Sequence, residues 1–101
     1  AREGFACVAD RRLDIADNFS FSRVSAEALA GRVREVAAAR PEAITILCTN
    51  LRGAPLVEAL EKETGIPVHD SAAAAVWASL RLAGADPGRV IGWGRLFRLP
   101  A

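Results

Sequence analysis

The chain is poor in three things: charge of one sign, cysteine and long apolar runs. Thirteen basic and twelve acidic residues leave a formal charge of +1. That balance excludes a strongly basic nucleic-acid binder and an acidic tail. Two cysteines, Cys7 and Cys48, are too few for a disulfide-stapled scaffold, and they lack the close spacing of a metal site. A reducing cytoplasm is therefore the expected location. No apolar run reaches the roughly 18 residues of a membrane span, so no membrane partner is expected. The opening Ala1-Arg2-Glu3-Gly4 lacks the apolar core of a signal peptide, and a start without Met fits a chain that has lost its true beginning. Low-complexity tracts, linkers and internal repeats are absent. No glycine-rich phosphate loop follows any predicted strand.

What is there is a chain of 101 residues and 10.7 kDa, one domain at most. It is 51% hydrophobic and 25% charged, the balance of a folded globular chain rather than a disordered one. Arg far outnumbers Lys and alanine supplies about a fifth of the residues, which reads as a bias of the source genome that favours helices.

Phe5-Ala6-Cys7-Val8-Ala9 reads as a short buried strand, with Cys7 in the core. From Asp10 to Ser22 loop formers mix with Leu13, Ile15, Phe19 and Phe21, which predicts a packed loop. Ser25 is a good N-cap for a helix in which Leu29, Val33 and Val36 recur at helical spacing, and Pro41 stops it after Arg40. Ala43 to Cys48 is a β-branched apolar run, as expected of a central parallel strand covered on both faces. Thr49 to Gly53 turns the chain into a helix over about Ala54 to Thr64, with Pro55 in its first turn and Gly65 at its end. Ile66 to His69 is a short strand. Asp70 or Ser71 then caps a helix over about Ala72 to Ala83, with Val76, Trp77 and Leu80 inward. The tail from Val90 to Phe97 is apolar and punctuated by glycine. Strands alternating with helices predict an α/β layer architecture around a parallel sheet.

In such sheets ligands bind beyond the carboxyl ends of the strands. The loop after the first strand, Cys48-Thr49-Asn50 and His69-Asp70-Ser71 therefore converge on one rim. Cys48 ends a strand and precedes a helix, where backbone N–H groups favour a thiolate and an anionic ligand. A cysteine there can serve as nucleophile or proton donor, or simply as a small buried hydrophobe. Thr49 and Asn50 offer a hydroxyl and an amide, or only turn chemistry. Asn18 could bind a carboxylate or close an Asx-turn. His69, the single histidine, fits a structural role better than an acid–base one.

Leu47-Cys48-Thr49-Asn50-Leu51-Arg52 resembles the second catalytic-cysteine motif of the maleate cis-trans isomerases, members of the aspartate/glutamate racemase superfamily that also includes the arylmalonate decarboxylases. Ile15 to Val24, Gly65 to Ser71 with Trp77, and Gly92-Trp93-Gly94-Arg95-Leu96-Phe97 resemble the same family in order. The resemblance runs from about Gly4 to Phe97. It implies two flavodoxin-like domains with the active site between them, each supplying one cysteine. One cysteine adds to the double bond of maleate, and after rotation the second handles the proton on the neighbouring carbon. By this resemblance Cys48 is the second cysteine. Asn18, Thr49 and Asn50 bind substrate, and no metal or organic cofactor is implied. Arg52 favours the isomerase branch over the decarboxylase branch, and amino-acid racemisation is a third chemistry on the same scaffold.

The resemblance further implies that residues 1–101 form a single incomplete α/β domain, the C-terminal portion of a two-domain enzyme lacking that domain's first strand. Cys7 does not match the other cysteine. A gap is expected beside the Ile44 strand, filled by the missing N-terminal half or by a second copy, which makes a homo-oligomer the expected state. A non-catalytic half-domain or binding module is the main alternative. An unrelated domain binding a phosphate ligand at the same rim is disfavoured for want of a phosphate loop.

Overall fold

The computed structural model describes residues 6–11, 23–48 and 50–99. Its centre is a strand–helix–strand unit. Strand β1 (Ile44–Ile46) and strand β2 (Val68–Asp70) pair in parallel, with Ile44 beside Val68 and Ile46 beside Asp70. Helix α1 (Ala26–Ala37) precedes β1, helix α2 (Val57–Thr64) connects the two strands, and helix α3 (Ser71–Leu82) follows β2 directly. A 3₁₀ turn, Ala54–Leu56, leads into α2, and two more, Pro87–Arg89 and Arg95–Arg98, shape the tail.

Local chemistry marks the starts of α1 and α3 and the end of α2. Ser25 Oγ accepts the Ala28 N–H at 3.1 Å, and Glu27 lies in the first turn of α1 where its charge suits the dipole. Gly65 ends α2 at φ 72°, a left-handed position that glycine takes without steric cost. Asp70 Oδ2 accepts the Ala73 N–H at 3.0 Å and caps α3. Leu29 and Val33 from α1, Val57 and Leu60 from α2, and Ile44, Ile46 and Val68 from the sheet form one buried cluster.

The two edges of the sheet differ. Ile44 donates its N–H to the Pro67 carbonyl at 2.9 Å, so Ile44 and Ile46 turn their backbone groups toward β2. Thr45 then turns its N–H and C=O to the opposite edge, which no described strand covers. On β2, the outward N–H of Val68 is taken by Glu61 Oε2 at 2.9 Å. A carboxylate thus closes the sheet on the β2 side, and no described strand pairs with the β1 side.

Several expectations need correction. Residues 6–9 form no strand, and Cys7 and Val8 are exposed rather than core. An extended apolar segment becomes a strand only when another pairs with it, and no described strand does. Thr45 is exposed, so β1 is covered on one face rather than two. Val76 is 51% exposed, and Trp77 and Leu80 are half-buried. The alanine-rich face of α3 seats only Ala73 fully, while the Trp77 ring is covered by the Arg81 guanidinium at 4.8 Å. Among the described residues no helix is long and apolar enough to cross a membrane.

Candidate functional site

Parallel pairing brings the carboxyl ends of β1 and β2 together, since Ile46 lies beside Asp70. Two residues beyond Ile46 the chain reaches Cys48, half-buried and with a free thiol. The Leu51 N–H donates to the Cys48 carbonyl at 3.2 Å and closes the turn. From the other strand end, Ser71 Oγ donates to the Ile46 carbonyl at 2.6 Å and accepts the Cys48 N–H at 3.1 Å. Cys48 sits at φ 156°, one of two non-glycine residues at positive φ among those described, the other being Arg40.

The turn after Cys48 lies close over the strand ends. Leu51 is buried, and Gly53 lies against both strands. A Cβ at Gly53 would stand 2.7 Å from Asp70 Oδ1 and 2.9 Å from Ile46 Cδ1, so only glycine fits. Asp70 is 1% exposed. Its Oδ1 has no hydrogen-bond donor among the described residues. The helix expected directly behind the turn starts instead as the 3₁₀ turn Ala54–Leu56, with α2 proper beginning at Val57.

Of the sequence-predicted site residues, Cys48 stands at the rim and Asn50 is exposed two residues on. Asn18 and Thr49 lie outside the described residues. His69 sits within β2 rather than at its end, half-buried and beside Thr45, which fits the structural role. Sequence reasoning missed Ser71 as a partner of Cys48. A serine at a helix start reads as a cap, and only the strand pairing brings it to Cys48, 23 residues away. Cys7 is exposed, and its thiol donates to the Ala9 carbonyl at 3.6 Å.

With its N–H given to Ser71 and its C=O to Leu51, Cys48 has the sulfur left as its reactive group. A partly exposed thiol at the carboxyl rim of a parallel sheet can attack an electrophilic carbon or exchange a proton with one.

A family model described as arylmalonate decarboxylase matches residues 1–97. The chain belongs to that family. The maleate isomerase of Nocardia farcinica is 35% identical over 97 residues, which are 95% of this chain and 38% of the relative. A solved structure of the Nocardia farcinica maleate cis-trans isomerase superposes with a TM-score of 0.87 at 33% identity, covering 98% of this chain and 40% of that one. That structure is a cysteine-to-serine mutant with a covalently bound succinylcysteine intermediate. A glycine-to-cysteine mutant of arylmalonate decarboxylase in its sulfate-associated form matches with a TM-score of 0.80 at 27% identity, covering 97% of this chain and 43% of that one. The family fold is the expected α/β architecture of parallel sheet and flanking helices. The chain spans about two fifths of the length of these relatives.

Proposed function

We propose that this chain is the C-terminal portion of a cofactor-independent cis-trans isomerase that converts maleate to fumarate, with Cys48 as the cysteine of its half. The observation that carries the reading is a half-buried thiol tied at the strand-end rim. It occurs in a chain 35% identical to a maleate isomerase. The succinylcysteine named for the related structure fits the chemistry, since a succinyl thioether needs both sulfur addition to one alkene carbon and proton delivery to the other.

The steps balance without an outside oxidant or reductant. A thiolate on the complementary half forms a C–S bond, and the alkene electron pair takes the Cys48 proton at the neighbouring carbon. The former double bond, now single, rotates. The Cys48 thiolate then removes a proton from that same carbon, the double bond re-forms and the C–S bond breaks, returning its electrons to sulfur. Asn18, Thr49 and Asn50 hold the substrate carboxylates in this reading.

A second reading rests on the family match itself: in arylmalonate decarboxylation Cys48 would protonate the enediolate left after carbon dioxide departs. Proton NMR of maleate and of an arylmalonate, each incubated with the chain plus the N-terminal half of a family member, separates the two. Fumarate appearing only when both parts are present, and disappearing in Cys48→Ser, is the expected result. Consumption of the arylmalonate alone would transfer the assignment to decarboxylation. Consumption of neither by a stable complex would leave a binding module.

A further inference from the structure

We infer that Ser71 is a positioning residue for Cys48: its hydroxyl fixes the backbone from which the thiol projects. The inference rests on the reading of Cys48 as the reactive thiol and extends it to a residue on a different element.

Ser71 is the first residue of α3, yet it does not cap that helix. Asp70 does, through the Ala73 N–H. The Ser71 hydroxyl is therefore available for other partners, 25 and 23 residues back in the chain. A hydroxyl has one proton to give. That proton goes to the Ile46 carbonyl at 2.6 Å, so toward Cys48 the oxygen can only accept, and it accepts the N–H at 3.1 Å. One side chain thus pins the two peptide groups that bracket Leu47.

Packing supplies only part of this constraint, since Cys48 is just partly buried against the core. Leu47 is 81% exposed and gives the turn no apolar anchor. Cys48 nevertheless holds φ 156°, a conformation that persists only where surrounding contacts enforce it. The Ser71 tie upstream and the Leu51 N–H on the Cys48 carbonyl downstream are the described hydrogen bonds that hold it, beside its partial packing against the core. A corollary concerns substrate: the Cys48 N–H is already committed, so carboxylate binding at this turn falls to the groups that follow it.

The test reads the thiol directly and needs no turnover, so its failure is distinguishable from failure of the isomerase reading. The exposed Cys7 is first replaced by serine, leaving Cys48 as the single cysteine. Iodoacetamide alkylation at neutral pH is timed, and amide hydrogen exchange is followed at Cys48. In this background Cys48 should show a protected amide. Ser71→Ala should lose that protection and alkylate about two- to tenfold faster, the range set by loss of one hydrogen bond. Ser71→Thr, which keeps the hydroxyl, should restore both. An unprotected Cys48 amide in the parent would overturn the inference even if Ser71→Ala failed to fold. So would a folded Ser71→Ala variant alkylating at the parent rate.

Discussion

The carboxylate of Glu61 closes the sheet at Val68. Glu61 Oε2 accepts the outward N–H of Val68 at 2.9 Å, where a further strand would otherwise pair. Its other oxygen, Oε1, accepts the Arg95 N–H at 2.9 Å and so draws the tail onto α2. The residue is 3% exposed, a depth at which a carboxylate is tolerated only when its oxygens are satisfied. One side chain on α2 therefore ends the sheet and seats the segment that carries buried Leu96 and Phe97.

Removing that carboxylate should be costly. Glu61→Ala leaves the buried Val68 N–H and the part-buried Arg95 N–H without their acceptor; an orphaned buried donor costs about 1–3 kcal/mol, and a partly exposed one less. A loss of roughly 2–4 kcal/mol is expected, read as a lower midpoint in urea unfolding. A variant with the parent's midpoint would mean that water or another group takes over both donors.

Gly53 is the place where the turn after Cys48 touches both strands. Gly53→Ala sets a methyl group 2.7 Å from Asp70 Oδ1 and 2.9 Å from Ile46 Cδ1, neither of which is the loose end of a long side chain. The expected cost is about 1–3 kcal/mol, the range for an overpacked interior site. Thermal unfolding would measure it. Because the same turn carries Cys48, alkylation of the thiol should speed up as well, whereas Gly31→Ala, inside α1 with nothing within 4 Å of the added atom, should leave alkylation unchanged and raise rather than lower the melting temperature.

How much of this was legible beforehand depended on how local the cause was. The start of α1 could be read because Ser25, Glu27, Leu29 and Val33 lie within nine residues of one another. The placement of Cys48 at the rim also followed from the sequence, since a strand followed by a turn and a helix leaves few other positions for it. The failures were non-local. The Cys7 run is apolar enough for a strand, but pairing decides, and its sequence says nothing of a partner. Val76 fits the helical stripe of α3, yet what lies beside that stripe is set by the rest of the fold. Ser71 and Glu61 act on residues brought near by strand pairing and tail docking, which side-chain type alone does not announce.

A pH dependence is expected at the far end of the sheet from Cys48. Arg34 on α1 and Glu63 on α2 form a two-pronged pair at 2.6 and 3.1 Å. The hydrogen bond from Arg34 holds the Glu63 carboxyl below its ordinary value of 4.5; desolvation opposes it, and the Arg34 charge adds a smaller downward pull. A carboxyl lowered in the folded state contributes stability above its unfolded value, and that contribution is lost as pH falls through the lowered folded value. The pair is exposed, so the effect is small and weakened by salt. Melting temperatures from neutral pH down to about 3 should fall less steeply for Glu63→Gln than for the parent. Parallel curves would show that the pair contributes nothing in solution.

The edge of β1 that no described strand pairs makes the last prediction. Thr45 turns its N–H and C=O away from β2, and Leu47 beside it is 81% exposed. An unpaired apolar edge is a template for another strand. We expect the chain on its own to associate with a second copy through this edge, and the N-terminal half of a family member to compete for it. Proline separates edge pairing from folding because it deletes one N–H and obstructs that side of the strand. Thr45→Pro removes a donor that β2 does not use, so it should reduce association in sedimentation velocity while helical circular dichroism persists. His69→Pro removes a donor that faces β1 and should unfold the pair. Association unchanged in Thr45→Pro would place the contact elsewhere, and a parent that sediments as a monomer at all concentrations would show that the edge is covered within the chain.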